Sequence, residues 1–233
     1  MVKRKMYDYL LNWKKSEKKS ALLIKGARQV GKTYLVRSFG KNEYKSYIEI
    51  NFLKNNAYKS IFSEDNLSAT EIYKRLSAYI PNIKIIPGDT LLFLDEIQVC
   101  PQARTAIKFL VEDGKVDIIS SGSLLGLAYY EDADEQVKEP TSLPVGYEQQ
   151  IIMYSLDFEE YLWANGYDEN SILYLKEFFD NNKEVPFELN NKYLMLFKEF
   201  IVIGGMPGVV QKFIDTHNFQ EADLIQRKIL TDY

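Results

Sequence analysis

The sequence contains one cysteine, Cys100, and one histidine, His217, and these two shortages exclude several kinds of site. A single cysteine excludes an internal disulfide. One cysteine and one histidine cannot supply the ligands of a structural zinc site, and a lone histidine argues against histidine-based catalysis. We therefore expect both residues to be ordinary packing or surface residues.

Long apolar runs and an excess of basic charge are also missing. No apolar run approaches the roughly 18 residues needed to cross a bilayer, and the basic first twenty residues lack the apolar core of a signal peptide. The 29 basic and 33 acidic residues give a formal net charge of -4, so the chain lacks the basic footprint of a dedicated nucleic-acid binder. We expect a cytoplasmic protein with no membrane partner.

What the sequence does contain, over residues 20–123, is an alternation of short apolar runs and amphipathic segments. This alternation predicts a parallel α/β sheet flanked by helices. The predicted strands are ALLIK (21–25), YKSYIEINF (44–52), TLLFLDE (90–96) and VDIISSGS (116–123). The predicted helices are MYDYLLNW (6–13), KTYLVRSF (32–39), ATEIYKRLSAYI (69–80) and PQARTAIKFLVEDG (101–114). Ser68 and Glu71 have the spacing of a capping box at the start of the third helix, which Pro81 ends.

The pattern changes after residue 123. Residues 129–146 are acidic and contain two prolines, which predicts an exposed loop, and YEQQIIMYSL (147–156) predicts one more strand of the sheet. From Asp157 onward the periodicity is helical. We therefore predict two domains, 1–155 with the sheet and 156–233 mostly helical. No glycine or proline stop follows the last helix, which is the pattern expected of a chain that has been cut short.

The segment between the first strand and its helix fits the pattern G-x-x-x-x-G-K-[ST]. Gly26 and Gly31 allow the backbone to curl so that its N–H groups face a phosphate, and the following helix adds its positive end. Lys32 is expected to reach the β- and γ-phosphates, and the Thr33 hydroxyl to bind Mg²⁺. The predicted nucleotide-binding residues are Gly26, Ala27, Arg28, Gln29, Val30, Gly31, Lys32, Thr33 and Tyr34.

Two acidic residues end the predicted strand TLLFLDE, about sixty residues after the glycine-rich loop. Asp95 should lie at the carboxyl edge of the sheet, where it can hold Mg²⁺ together with Thr33. Glu96 is suited to orient or deprotonate an attacking water, the role of a catalytic base in hydrolysis. ATP and Mg²⁺ are the expected ligands. Lys32 and Glu96 are predicted catalytic residues, and Ser121 of the next motif is the third.

A third predicted element is the polar end of the strand VDIISSGS. Ser121, or Ser123 as the second choice, could sense the γ-phosphate or position the water, and an ordinary Ser-Gly-Ser turn is an equally good interpretation. The charge of the transition state also calls for an arginine, and the chain has only six. Arg28 lies in the loop and Arg104 follows the acidic strand, but neither can be assigned, because such arginines often come from another subunit or domain.

The segments GARQVGKT (26–33), LDEIQ (94–98) and GGMP (204–207) resemble the bacterial and archaeal AAA+-like ATPases in which a P-loop domain precedes a conserved domain of unknown function. The likeness runs from residue 6 to the end. It implies an ATPase core of the AAA+/ASCE-like P-loop NTPase class, a small helical segment for which a winged-helix-like region is one arrangement, and a further C-terminal, nuclease-like module that this chain lacks. The glycine-arginine pair that many relatives carry after the strand corresponding to VDIISSGS reads PVGYEQQ here, so no arginine sensor can be carried over.

Three functional hypotheses follow. The leading one is a Mg²⁺-dependent ATPase that acts as a switch or motor on a macromolecule, as a homo-oligomer or through a DNA or protein partner of the C-terminal half. A second is a small-molecule kinase, which uses the same loop, but no arginine-rich lid is evident and Asp-Glu favours water as the acceptor. A third is a binding module in which ATP is only a structural ligand. A GTPase is disfavoured because Leu194 stands where a guanine-reading aspartate would be.

Overall fold

The computed structural model describes residues 2–17, 19–63, 66–123 and 144–231. The chain divides into two compact units. The sheet unit comprises Tyr7–Met153, and the helical unit comprises Met1–Met6 together with Tyr154–Tyr233. The first six residues, which the sequence analysis placed in the first domain, therefore group with the C-terminal half.

The sheet unit is built on five parallel strands in the order β2-β3-β4-β1-β5. The three interior strands are almost entirely buried, as expected for a parallel sheet covered on both faces. Because the strands are parallel, the carboxyl ends of β1, β3 and β4 lie at the same edge of the sheet, and β4 separates β1 from β3. The strands are β1 (Ala21–Gly26), β2 (Ser46–Asn51), β3 (Thr90–Asp95), β4 (Asp117–Ser123) and β5 (Glu148–Ile152).

The helices of this unit begin and end close to the predicted positions. They are α1 (Lys5–Lys14), whose first two residues fall in the helical unit, α2 (Lys32–Glu43), α3 (Ala69–Tyr79) and α4 (Pro101–Asp113). Two short 3₁₀ helices, Asn56–Phe62 and Ile97–Val99, complete the described elements. Pro101 occupies the first turn of α4, as predicted, and Gly114 follows the helix in the left-handed conformation.

One local prediction was wrong. Ser68 does precede α3, but its side chain makes no capping hydrogen bond there. Glu71 instead forms an ion pair with Lys74 at 2.7 Å, one turn further along the exposed surface. The capping box is therefore not formed. The fifth strand was predicted correctly, and of the predicted loop 129–146 the part up to residue 143 lies outside the described residues.

On one face of the sheet, β2, β3 and β4 pack against α3 and α4 in an extended hydrophobic cluster. All six residues of β3 are buried, and Ile72 and Ile107 of the covering helices are fully buried. Burial of this apolar surface is the main favourable term in folding. This packing holds the polar residues at the carboxyl ends of β1, β3 and β4 in fixed positions.

The helical unit contains five helices in its described residues and no strand. They are α5 (Phe158–Ala164), α6 (Glu169–Asp180), α7 (Phe187–Ile203), α8 (Pro207–Thr216) and α9 (Phe219–Thr231). Tyr161, Val209 and Phe213 are among the buried residues of its core. Among the described helices of the whole chain, none is both long and apolar enough to span a membrane.

Candidate functional site

The glycine-rich loop connects β1 to α2 at the carboxyl edge of the sheet. Gln29 and Gly31 have positive φ angles of 64° and 96°, so the loop reverses direction within a few residues. A Cβ atom on Gly26 would clash with the carbonyl oxygen of Met153, the residue that follows β5. Only glycine fits this position, because the chain after β5 passes directly over it.

Lys32 is the first residue of α2, and its side chain folds back over the loop. Its Nζ donates to the carbonyl oxygens of Gly26 at 2.8 Å and Ala27 at 2.7 Å. Burial lowers the pKa of Lys32 below its ordinary value, although the neighbouring Glu96 and Asp95 carboxylates act in the opposite direction. The ammonium group is thus held by two carbonyl oxygens of the loop, and the residue is largely buried.

Asp95 is the point on which four elements converge. Its carboxylate is almost fully buried and accepts hydrogen bonds from Thr33 Oγ1 at 3.1 and 3.2 Å. Asn51 Nδ2 donates to Asp95 Oδ2 at 2.7 Å from the end of β2, where the two residues are in register, and Ser121 Oγ donates to Asp95 Oδ1 from β4. Three donors compensate for the burial of this carboxylate.

The oxygen atoms around Asp95 fit a magnesium ion. Mg²⁺ prefers oxygen ligands and in nucleotide sites takes one or two from the protein, with water and phosphate supplying the others. The Thr33 hydroxyl and the Asp95 carboxylate already lie within hydrogen-bonding distance of each other. Thr33 and Asp95 would hold the ion, and Ser121 would remain beside it.

Glu96 follows Asp95 and has a left-handed backbone, with φ 58° and ψ 49°. This conformation is uncommon for a residue with a side chain and directs Glu96 out of the line of the strand. Its Oε2 atom accepts a hydrogen bond from Gln98 Nε2 at 2.6 Å. The carboxylate is therefore held by a residue of the 3₁₀ turn that follows it.

The other predicted loop residues differ in exposure. Val30 is buried in the base of the loop, whereas Arg28 and Gln29 are exposed, and the Tyr34 side chain is half exposed. Of the two predicted serines, the described bond to Asp95 comes from Ser121, while Ser123 ends β4 two residues further on. The structure thus brings Lys32, Thr33, Asp95 and Ser121 together, with Glu96 beside Lys32.

Arg104 is held in a buried ion pair. Its Nη2 atom donates to Glu148 Oε2 at 2.8 Å, and side-chain exposure is 9% for the arginine and 3% for the glutamate. Breaking such a pair leaves a buried charge without compensation. Arg104 is therefore committed to fixing α4 against the start of β5, which disfavours it as the arginine that stabilises a transition state.

Sequence reasoning missed two residues of the site, Asn51 and Gln98. Asn51 is the next-to-last residue of the predicted strand YKSYIEINF and the last residue of β2, and a polar residue near the carboxyl end of a strand was a usable signal. The strand order was needed to place it beside Asp95. Gln98 gave no such signal, because its contact with Glu96 depends on the left-handed turn between them.

The fold and the loop together define the P-loop NTPase fold, with a parallel sheet in which β4 separates the loop strand from the acidic strand. The profile of the AAA domain family matches residues 18–162, more than half of the chain, and the chain belongs to that family.

The chain is also similar to solved structures. One is the Walker-type ATPase paby2304 of Pyrococcus abyssi, at 17% identity and a TM-score of 0.52, with 99% of this chain and 72% of that chain covered. Another is the ORC1 protein of Aeropyrum pernix, solved in complex with DNA, at 17% identity and a TM-score of 0.39, with 67% and 45% covered. At such identities the likeness concerns the fold alone. No curated protein matches the sequence.

Proposed function

We propose that this chain binds ATP with Mg²⁺ and hydrolyses it, as a switch or motor that acts on a macromolecule. The observation that carries the proposal is the convergence of Thr33, Asn51 and Ser121 on the buried Asp95, with Thr33 directly following Lys32 in α2. An ordinary glycine turn has no need of a buried carboxylate with three donors.

Each residue has a distinct role in this proposal. Lys32 exchanges the Gly26 and Ala27 carbonyl oxygens for phosphate oxygens when ATP enters. Thr33 and Asp95 hold Mg²⁺, which neutralises charge on the phosphates, and Ser121 keeps the Asp95 carboxylate oriented. Glu96 accepts a proton from the attacking water or orients it.

We expect slow turnover by this chain alone. Transition-state charge in phosphoryl transfer requires a nearby cation, and its absence lowers the rate by roughly 10³ to 10⁵. Arg104 is engaged by Glu148, and Arg37 makes a two-pronged ion pair with Glu49 at 2.8 and 2.5 Å. Arg28 of the loop, or an arginine from a second copy of the chain or from a partner, would then have to supply this charge.

The helical unit supports a role in contacting a macromolecule, DNA or protein. Its helix α7 has a single buried residue, Ile203, although its sequence is strongly apolar. Phe187, Met195, Ile201 and Val202 are each more than 60% exposed. Exposed apolar side chains in this number are typical of a surface that another molecule covers.

Phosphate release from ATP in the presence of Mg²⁺ and without any acceptor tests the proposal. We expect slow, Mg²⁺-dependent release that Lys32→Ala abolishes together with ATP binding, because this substitution removes the charge facing the phosphates. If ATP binds and no phosphate is released even over long incubation, the chain is a nucleotide-regulated binding module instead.

A further inference from the structure

The 3₁₀ turn after β3 contains an unusual pair of side chains, Glu96 and Gln98. The Gln98 amide nitrogen donates to Glu96 Oε2 at 2.6 Å, and the Gln98 amide oxygen is buried without a hydrogen-bond partner among the described residues. Leaving a buried acceptor unpaired is unfavourable. Another interaction of Gln98 must therefore offset the cost of this unpaired oxygen.

The backbone of the turn fixes where the Glu96 side chain starts but not where its carboxylate ends. Ile97 is fully buried and Val99 N donates to Glu96 O at 3.0 Å, so the left-handed conformation at Glu96 is set by the turn itself. The glutamate side chain still has three rotatable bonds. Among the described residues, the hydrogen bond from Gln98 restricts rotation about these bonds.

The orientation of the Gln98 amide follows from charge. A carboxylate has only acceptor oxygens when it is ionised, so it requires the NH₂ end of the amide. That choice turns the Gln98 oxygen toward the interior. An electrostatic reason, rather than packing, thus accounts for the unpaired oxygen.

We propose that Gln98 is a positioning residue for the hydrolysis of ATP and holds the Glu96 carboxylate in the orientation from which it acts on water. This inference rests on the proposed function, because it assigns Glu96 the role of base. It adds a residue that does not touch ATP or Mg²⁺. Loss of Gln98 should therefore lower kcat, because the Glu96 carboxylate would spend less time in the orientation from which it acts on water.

The test compares Gln98→Met with wild type. Methionine keeps the length and volume of the side chain and removes the donor. We expect kcat to fall about tenfold, with KM and ATP affinity within twofold of wild type, because one hydrogen bond to a charged group is lost and the phosphate-binding loop is untouched. Gln98→Glu, which removes the donor and adds a like charge, should reduce kcat further.

Two controls separate a positioning role from a structural one. Gln211→Met removes a similar amide-to-carboxylate bond, 2.9 Å to Asp215, in the helical unit and should leave kcat unchanged. In a Glu96→Gln background, the slow residual conversion of bound ATP, followed over a long incubation, should be the same with and without Gln98→Met, because the group that Gln98 positions is already gone. Bound ATP and the melting temperature report whether each variant is folded.

Several outcomes would overturn the inference. Wild-type kcat in Gln98→Met excludes Gln98 from positioning Glu96 while leaving the hydrolase proposal intact. The same holds if adding Gln98→Met to Glu96→Gln lowers the residual rate of ATP conversion further. A parallel loss of ATP affinity and kcat in both Gln98 variants also overturns it, because the residue would then support the fold of the site. Absence of turnover in the wild-type chain overturns this inference and the proposed function together.

Discussion

At the scale of single residues, the candidate site depends on Asp95 and the groups that donate hydrogen bonds to its carboxylate. Thr33, Asn51 and Ser121 come from α2, β2 and β4, so three separate elements must be correctly placed for the carboxylate to be satisfied. The loop and both carboxylates could be predicted from sequence, because their spacing and flanking apolar runs are local features. Asn51 could not, because only the strand order brings it into register with Asp95.

Thr33→Val tests the magnesium role at this scale. Valine preserves the branched shape and removes the hydroxyl, so we predict that the Mg²⁺ concentration for half-maximal ATPase activity rises at least tenfold. Thr33→Ser retains the hydroxyl and should stay close to wild type. Equal Mg²⁺ dependence in wild type and Thr33→Val, measured by titrating Mg²⁺ at fixed ATP, would remove Thr33 from the ion's coordination shell.

At the scale of elements, the first turn of α5 shows how a helix end organises the helical unit. Asp157 and Glu160 form a reciprocal capping box, and Glu160 also accepts hydrogen bonds from Arg4 Nε at 3.1 Å and Lys5 N at 2.7 Å. This explains why the first six residues group with this unit. Sequence analysis predicted the helix from Asp157 but not its partner at the other end of the chain, whereas the box that it did predict, at Ser68, is absent.

The pKa of Asp157 gives a prediction for this element. Burial alone would raise that pKa, but the Lys5 ammonium at 2.6 Å and the Glu160 backbone N–H outweigh it, so the pKa lies below its ordinary value. A depressed pKa in the folded state contributes stability above the unfolded pKa, which is lost as pH falls through the folded value. The contribution should therefore be complete at neutral pH, begin to fall near the unfolded pKa of about 4, and be lost only below the folded pKa.

Two substitutions separate the charge of Asp157 from its cap. At pH 7, Asp157→Ala should lower the melting temperature by about 2–4 °C, because losing a capping side chain typically costs about 1 kcal/mol. Asp157→Asn keeps an acceptor for the Glu160 amide, so its melting temperature should fall less. The difference in melting temperature between Asp157→Asn and wild type should shrink as the pH is lowered from about 5 to 3. A difference that stays constant over that range would show that the charge makes no contribution.

At the scale of the whole molecule, the sheet order β2-β3-β4-β1-β5 places the loop and the acidic strand on either side of β4. Individual strands could be predicted from apolar runs and their flanking turns, and that parallel sheet was confirmed. The order of the strands could not, because apolar interior strands look alike in sequence. The division of the chain at Met153 likewise depends on which residues pack together, as the grouping of Met1–Met6 with the helical unit illustrates.

A ligand that binds only the folded chain stabilises it, which gives a prediction for the whole molecule. We predict that MgATP at about 100 times its dissociation constant stabilises the protein by about 2.7 kcal/mol and raises the melting temperature, with a smaller shift for GTP. Removing Mg²⁺ with EDTA should reduce the ATP shift, and Lys32→Ala should abolish it. Identical shifts for wild type and Lys32→Ala would place the nucleotide elsewhere.

The central claim is that binding and hydrolysis of ATP depend on different residues of one site, and the fate of ATP bound to Glu96→Gln tests it most directly. Glutamine matches glutamate in size and leaves Asp95 and Thr33 to hold Mg²⁺, but it cannot accept the proton from water. The variant should retain one intact ATP per chain in a filter-binding assay followed by separation of ATP from ADP, while the wild-type chain converts its bound ATP to ADP. Conversion by Glu96→Gln at the wild-type rate would contradict the account, because Glu96 would then not be the base.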